Sequence, residues 1–266
     1  MRGKAFGRGR SGGAVGAALL LGLAGCHDHD HDHGDHSHGD GTALLEITAT
    51  GAAGIEQGLA ADDFTDGWAV RFTRFEVVVT EAHAADTTFT GPFTADLARP
   101  SMGQGHALTA QEVPEGHHGA PSFTLGRMAV AGTATFAAGT ADEVVKTFAW
   151  TFEGVTAYRD CQTVVHVHAD GSGHEGPSGR FEITLYGERL FHDALGSRTP
   201  TLQFAAYAAA DADADGVVTA AELAAAGVGD LGVGDTAVTN LWGYLEAQAG
   251  TLGRANGADP CTVGPP

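Results

Sequence analysis

The sequence predicts a mainly β protein: an antiparallel sandwich or barrel-like domain followed by a helical appendage at the C-terminus. Short runs rich in Val, Phe, Thr and Trp follow one another from about residue 42 to residue 191, divided by Gly, Pro and Asp. This composition is typical of strands and turns. No long helical pattern separates the runs, which favours antiparallel pairing. The expected strands cover residues 44–50, 68–81, 93–97, 122–130, 144–158, 163–168 and 180–190.

In two of these runs, the spacing of the large apolar residues indicates which side chains face the core. Phe148, Trp150 and Phe152 alternate with smaller or polar residues, which predicts one face in the core and one face toward solvent. In the run 68–79 the large apolar residues occupy even positions up to residue 72 and odd positions from residue 75. A bulge or bend near Arg74 would explain this change of phase.

Helical patterns follow the predicted β domain. Thr199 and Pro200 indicate an N-cap and a first helical position, and small or apolar residues then recur at helical spacing up to residue 209. Residues 219–222, Thr-Ala-Ala-Glu, have the pattern of a capping box, and a short second helix is expected from Leu223 to about residue 227. The last helix is expected over residues 236–252, with Asp235 as its cap and one apolar face packed on the rest of the protein.

The segment between the first two of these helices has the pattern D-x-D-x-D-G-x5-E, from Asp211 to Glu222. Gly216 stands where such a loop must turn sharply, and Glu222 stands where a carboxylate can close the ligand shell with both oxygens. Ca²⁺ prefers six to eight oxygen ligands, so alternating acidic residues on a tight loop suit it. The segment 200–227 therefore resembles the EF-hand family. The resemblance implies that the calcium ligands are Asp211, Asp213, Asp215, the carbonyl of Val217, Thr219 and Glu222.

Two further points concern this loop. EF-hands usually occur in pairs, and the sequence after residue 227 contains no second loop of this kind. A single loop is expected to bind calcium with modest affinity, which suits a structural role. The alternative interpretation is an acidic, solvated turn in an Ala- and Asp-rich segment.

The first 26 residues indicate export. Four basic residues precede an apolar stretch over residues 14–24 that is too short for an ordinary membrane span. The sequence Leu23-Ala24-Gly25-Cys26 resembles the lipobox of bacterial lipoproteins. The resemblance implies that residues 1–25 are removed and that Cys26 carries a lipid anchor, with the outer membrane favoured because His27 follows it. An uncleaved helical anchor is the alternative. The order of Asp66-Gly67-Trp68, the β domain and the single EF-hand-like loop resembles that of uncharacterised bacterial lipoproteins, and this resemblance implies no function.

The charge balance and the motif search narrow the functional classes. The whole chain carries a formal charge of −19, from 14 basic and 33 acidic residues. Removing residues 1–25 with their four basic residues leaves 10 basic against 33 acidic residues, or −23. Such a surface repels nucleic acid and attracts cations, so metal ions are the expected partners, with membrane contact only through the lipid anchor. A protein partner is not indicated. No catalytic motif is present, and an unrecognised hydrolase or lyase stays as an alternative.

Once Cys26 is assigned to the lipid, Cys161 and Cys261 form an even pair. In an exported, oxidising setting we expect them to form a disulfide, which would tie the C-terminus to the β domain. Two free buried thiols are the alternative.

Residues 27–41 are rich in His and Asp and have no apolar content. They are expected to be a disordered tether. Neutral imidazoles on such a chain can gather around Zn²⁺ or Cu²⁺, and a hydrophilic spacer is an equally favoured interpretation. The candidate ligands are His27, His29, His31, His33, His36 and His38.

His166 and His168 are a further candidate pair, because an H-x-H pattern on a strand presents two nitrogens on one face. The sequence fixes no third ligand, and His117 and His118 are assigned to a separate loop. A solvated polar strand face is therefore preferred over a metal site.

These observations divide the chain into four parts: a signal peptide over residues 1–25, a lipidated tether over 26–41, a β-rich domain over 42–198 and an EF-hand-like segment with a C-terminal helix and tail over 199–266. The expected function is calcium binding by an exported, lipid-anchored protein that is not an enzyme. Transition-metal buffering or delivery with zinc or copper is the alternative function.

Overall fold

The computed structural model describes residues 41–168, 178–257 and 259–264. These residues form a mainly β structure with two mixed sheets that are not closed into a barrel, as in a β sandwich. The sandwich alternative of the sequence prediction is therefore confirmed. The strands are β1 Thr42–Gly51, β2 Trp68–Ala84, β3 Thr87–Asp96, β4 His106–Pro114, β5 Gly116–Gly119, β6 Ser122–Phe136, β7 Val144–Phe152, β8 Thr156–Arg159, β9 Val164–Val167, β10 Gly179–Leu185, β11 Val217–Val218, β12 Gly253–Ala255 and β13 Thr262–Gly264.

The helices are short and lie mostly after β10. Two 3₁₀ segments, Ala61–Asp63 and Gly187–Phe191, accompany them. The α-helices are α1 Ala53–Gln57, α2 Ala205–Ala209, α3 Ala220–Ala225 and α4 Leu241–Ala249.

The first sheet has the strand order β4-β1-β10-β9-β5, and β12 also pairs with β10. The second sheet has the order β11-β7-β6-β2-β3, with β8 on β6 and β13 on β8. Most neighbours are antiparallel, as expected, but β1 with β10 and β11 with β7 are parallel. Both parallel pairs join strands that are far apart in sequence, so a tight hairpin turn is not needed to connect them.

Buried side chains of both sheets form one hydrophobic core. Phe123 of β6 and Phe181 of β10 bring the sheets together, with ring centroids 6.3 Å apart. The helices after β10 contribute to the same core through Tyr207, Leu223 and Tyr244, which are fully buried. The segment that carries the acidic loop is thus packed against the sheets over a large apolar surface.

Side-chain alternation predicted several strands well. The change of phase near Arg74 is an irregularity in the pairing of β2 with β6 between Phe72 and Arg74, as the sequence predicted. The predicted strand 144–158 is instead two strands, β7 and β8, and the predicted strand 180–190 ends at Leu185 before a 3₁₀ segment. The sequence did not predict β4 or β5.

All three predicted helix starts are wrong, and α3 begins at Ala220 and not at Leu223. The first helix is capped not by Thr199 but by the Asp66 carboxylate, whose Oδ2 accepts hydrogen bonds from the backbone N–H groups of Phe204 and Ala205, each 2.7 Å long. The last helix begins at Leu241, not near Asp235, and the side chain of Asn240 accepts a hydrogen bond from the Gly243 N–H as its cap. Both Asp66 and Asn240 supply the oxygen acceptor that an N-terminus needs.

The expected pair of cysteines forms a disulfide, with the sulfurs of Cys161 and Cys261 2.02 Å apart. β13 directly follows Cys261 and pairs antiparallel with β8, which precedes Cys161. The C-terminal strand is therefore held to the second sheet both covalently and by hydrogen bonds.

Within the residues that the structure describes, none of the helices combines the length and the apolar character needed to cross a membrane.

Candidate metal centre

The acidic loop spans residues 211–222, between α2 and the first turn of α3. Its sharp turn is at Gly216, whose φ of +86° lies in the left-handed region that strains any residue with a Cβ. Turn-forming hydrogen bonds run from the Asp215 N–H to Asp213 Oδ1 and from the Val217 N–H to Asp215 Oδ1. The carboxylates therefore hold the backbone of their own loop.

The loop is docked on the edge of the second sheet. β11, which is Val217–Val218, pairs in parallel with Thr147 and Phe148 of β7. The Thr147 N–H donates to the Gly216 carbonyl over 2.8 Å, and the indole N–H of Trp150 donates to the Val218 carbonyl over 2.9 Å. A rigid strand of the sandwich thus fixes the second half of the loop.

Three carboxylates of the loop converge. Single oxygens of Asp211, Asp213 and Glu222 all lie within 4.8 Å of one another, an arrangement that could hold a metal ion. Asp215 is outside this group, and Val217 and Thr219 could add only a carbonyl and a hydroxyl oxygen. The structure thus brings together three of the six ligands that the sequence predicted.

Asp211 has the most unusual surroundings of the three. Its side chain is fully buried, and Oδ2 contacts both Lys146 Nζ and the N–H of Gly216, the latter at 3.0 Å. Its other oxygen, Oδ1, is buried and has no hydrogen-bond partner among the described residues. A buried carboxylate oxygen without a partner is costly. A cation bound at Oδ1 would remove this cost.

Glu222 connects the two ends of the loop. Its Oε1 accepts a hydrogen bond from the Ala212 N–H over 3.1 Å, and its Oε2 accepts from the N–H and hydroxyl of Thr219. Thr219 in turn accepts from the Glu222 N–H, which completes the predicted capping box of α3. The carboxylate at the last loop position is thereby held next to the first position.

The electrostatics of the loop keep Asp211 and Glu222 ionised. The Lys146 ammonium, together with the N–H of Gly216, lowers the pKa of Asp211. Hydrogen bonds from Thr219 and Ala212 lower the pKa of Glu222. Both groups are therefore charged at neutral pH, and as oxygen anions they offer the chemistry that a hard cation such as Ca²⁺ requires.

A second group of candidate ligands consists of three histidines, His117, His166 and His168, which we call the histidine triad. His166 on β9 lies directly opposite His117 on β5 in an antiparallel pair, and His168 follows two residues after His166. One ring nitrogen of each lies within 4.8 Å of the others, and all three side chains are exposed.

The prediction that His117 and His118 lie in a separate loop is wrong. Both residues are on β5, at the edge of the first sheet. A third nitrogen near His166 and His168 does exist. The strand was missed because Gly-His-His-Gly has little of the β-branched and aromatic character of strands.

His118 has a different environment from the triad. Its Nε2 lies 3.0 Å from the Pro114 carbonyl, and its Nδ1 lies 3.7 Å from a carboxylate oxygen of Asp86. It is therefore engaged in local contacts and is not a member of the triad.

Several predicted residues fall outside the described part of the chain. These are the lipidation site Cys26 and the tether histidines His27, His29, His31, His33, His36 and His38.

A search of family models, of curated proteins and of solved structures finds no match to this chain. The function is therefore inferred from the two sites themselves.

Proposed function

We propose that this protein binds one calcium ion through the 211–222 loop, as an EF-hand-like site whose ion has a structural role. The observation that carries the proposal is the convergence of single oxygens of Asp211, Asp213 and Glu222. The buried Asp211 Oδ1, which has no hydrogen-bond partner among the described residues, supports it. Asp215, Val217 and Thr219 are the additional ligands in this proposal. Small rotations of the Asp215 and Thr219 side chains, together with the backbone carbonyl of Val217, would complete a shell of about six oxygens.

The docking of the loop suits a structural ion. In EF-hand pairs the second loop supports the first, whereas here β7 is the neighbour of β11. The sheet thus takes over the support that a second loop would give. A calcium ion at this position would connect α2, the edge of the second sheet and α3, and it would stabilise the folded chain in proportion to its occupancy.

The proposed setting is an exported protein anchored to the bacterial envelope through a lipid on Cys26, in the outer membrane. The lipobox-like sequence and the disulfide between Cys161 and Cys261 support export, because disulfides persist mainly in oxidising compartments. Calcium is abundant outside the cytoplasm, so an affinity of about 10⁻⁴ to 10⁻³ M, typical of extracellular modules, would suffice.

The substitution Asp213→Asn tests the proposal. It removes one charged ligand from an exposed position and leaves the Asp211–Lys146 pair intact, so the calcium-free fold is expected to be unchanged. We expect calcium affinity, measured by isothermal titration calorimetry, to fall at least about tenfold. At a calcium concentration of about one hundred times the wild-type Kd, calcium should stabilise the wild type by about 2.7 kcal/mol, and a variant with a tenfold larger Kd by only about 1.4 kcal/mol.

Asp230→Asn is the matched control, since it makes the same charge change at an exposed position outside the loop. It should titrate like the wild type. Two results would contradict the proposal. One is an Asp213→Asn variant that binds calcium as tightly as the wild type, and the other is a wild type that does not respond to calcium at millimolar concentration.

Lys146 gives a second, independent prediction. It is the only lysine after residue 4 in this acidic chain, and its ammonium contacts the carboxylate that would hold the ion. A fixed positive charge beside a divalent cation opposes binding. Lys146→Met should therefore raise calcium affinity about three- to tenfold, as expected for charges close together near a protein surface.

The same variant should be less stable than the wild type in chelator, because Asp211 then loses its buried ion-pair partner. Calcium should restore this loss, so the difference in melting temperature with and without calcium should increase. Lys146→Arg keeps the charge and is the control. An affinity for calcium that is equal or lower in Lys146→Met would show that the lysine does not oppose the ion.

A further inference from the structure

We propose that the histidine triad, His117, His166 and His168, is a second metal site that takes a transition-metal ion of the Zn²⁺ or Cu²⁺ type. The site is independent of the calcium loop and lies on the other sheet, at the pairing of β5 with β9. It also differs from the N-terminal histidine-rich tether, because His117 and His166 lie on paired strands and His168 directly follows one of them.

The backbone places the three rings on one face. Val165 and Val167 of β9 are buried at 1% and 0% exposure, so the alternate residues His166 and His168 point to the outer face. Directly opposite residues of an antiparallel pair have their side chains on the same face, which puts His117 beside His166. The ring centroid of His117 lies 4.4 Å from that of His166 and 5.2 Å from that of His168.

The donor set selects the metal. Three imidazole nitrogens suit Zn²⁺ and Cu²⁺, and they are poor ligands for Ca²⁺ and Mg²⁺, which prefer oxygen. Three protein ligands leave a fourth position of a tetrahedral zinc ion open. The site is at an exposed sheet edge, so a water molecule or a ligand of a partner could occupy that position, which suits exchange of the ion with the surroundings.

Rigid strands distinguish this site from chance clustering of surface histidines. His166 lies on β9, and the pairing of Gly116 to Gly119 with Val164 to Val167 fixes His117 relative to it. His168 directly follows the last residue of β9, and its N–H donates to the Ser178 carbonyl over 3.2 Å. A metal ion would therefore bridge β5, an edge strand of four residues, to β9. Binding is expected to stabilise this short pairing as well as to hold the ion.

The test uses the full chain with the six tether histidines, residues 27–38, replaced by Asn, so that only the folded part can supply imidazoles in clusters. Millimolar calcium is present throughout to keep the 211–222 loop from taking up zinc. We expect this chain to bind about one Zn²⁺ and to show a higher melting temperature with zinc. Co²⁺ in place of zinc should give the intense visible absorption of a four-coordinate ion.

In the same background, His166→Asn or His117→Asn should weaken zinc binding at least about tenfold and abolish the zinc-dependent rise in melting temperature. His83→Asn, on β2 of the other sheet, is the matched control and should leave both unchanged. His168→Asn is the second variant if one of the others does not fold, which the thermal transition in calcium reports.

Two results would overturn the proposal. One is a tether-substituted chain that binds no zinc, and the other is zinc binding that survives His166→Asn and His117→Asn at wild-type strength. Calcium titration of the same chains is a separate readout, so loss of the calcium site and loss of the triad are distinguishable.

Discussion

Replacing both Cys161 and Cys261 with Ala is expected to lower the free energy of unfolding by about 4–5 kcal/mol. The cysteines are 100 residues apart in sequence, and closing a loop of that length removes a large entropy from the unfolded chain. Alanine is chosen because Cys161 is buried at 2% exposure, where a serine hydroxyl would add a desolvation penalty. Chemical denaturation in urea, followed by circular dichroism, measures the loss.

The wild type under reducing conditions is the control and should unfold at nearly the same denaturant concentration as the double variant. Calcium affinity should be unchanged. β11 and β7 at the loop are separated from β13 by β6 and β8 in the order of the second sheet, so the loss is expected to be global and not at the calcium site. Equal stability of the oxidised wild type and the double variant would contradict the prediction.

The strands that the sequence predicted have a strong side-chain alternation between core and solvent. β1 and β2 alternate buried and exposed residues over most of their length, and such a pattern is visible without a structure. β4 and β5 were missed for the opposite reason. Only Val113 is fully buried in β4, and β5 is Gly-His-His-Gly, so their strand character comes from pairing with β1 and β9 and not from their own composition.

The helix caps also could be predicted only where the capping residue is close in sequence. Asp66 caps α2 from 138 residues away in sequence, so no local motif could have indicated it. The capping box of α3 was predicted because Thr219 and Glu222 are three residues apart and local in sequence. The disulfide was predicted from the number of cysteines and the expected compartment, not from geometry.

In both candidate metal sites, the contacts between residues close in sequence could be predicted and the long-range contacts could not. The acidic loop is a contiguous motif, so its carboxylates could be predicted from spacing alone. Lys146 reaches Asp211 from β7, and His117 reaches His166 from β5. Both contacts depend on strand order, which the spacing of a single sequence does not specify. The features that change the interpretation of each site are thus the long-range ones.

Trp150→Ala is expected to lower the free energy of unfolding by about 3–5 kcal/mol, the usual cost of removing a large buried aromatic side chain. Trp150 is 1% exposed on β7 and stacks on Phe148, with centroids 4.4 Å apart. It also lies 6.3 Å from the ring of Tyr207 in α2 and donates to the Val218 carbonyl. Because it lies beside the helix that precedes the loop and donates to β11 within the loop, we expect it to position the loop for calcium.

Trp150→Phe separates the two roles. It keeps an aromatic side chain in the core but leaves the Val218 carbonyl without its donor, which costs about 1–3 kcal/mol. If the indole N–H positions the loop, calcium affinity should fall about three- to tenfold, and the loss of stability should be larger in calcium than in chelator. Both quantities can be measured by calorimetric titration and by denaturation with and without the ion.

Trp242→Phe provides the comparison, since Trp242 on α4 stacks on Phe152 with centroids 5.3 Å apart. It should lower stability slightly and leave calcium affinity unchanged. A Trp150→Phe variant that is less stable but binds calcium like the wild type would restrict Trp150 to the hydrophobic core. The support of the loop would then come from the backbone pairing of β11 with β7 and from the hydrogen bond of Thr147 to Gly216.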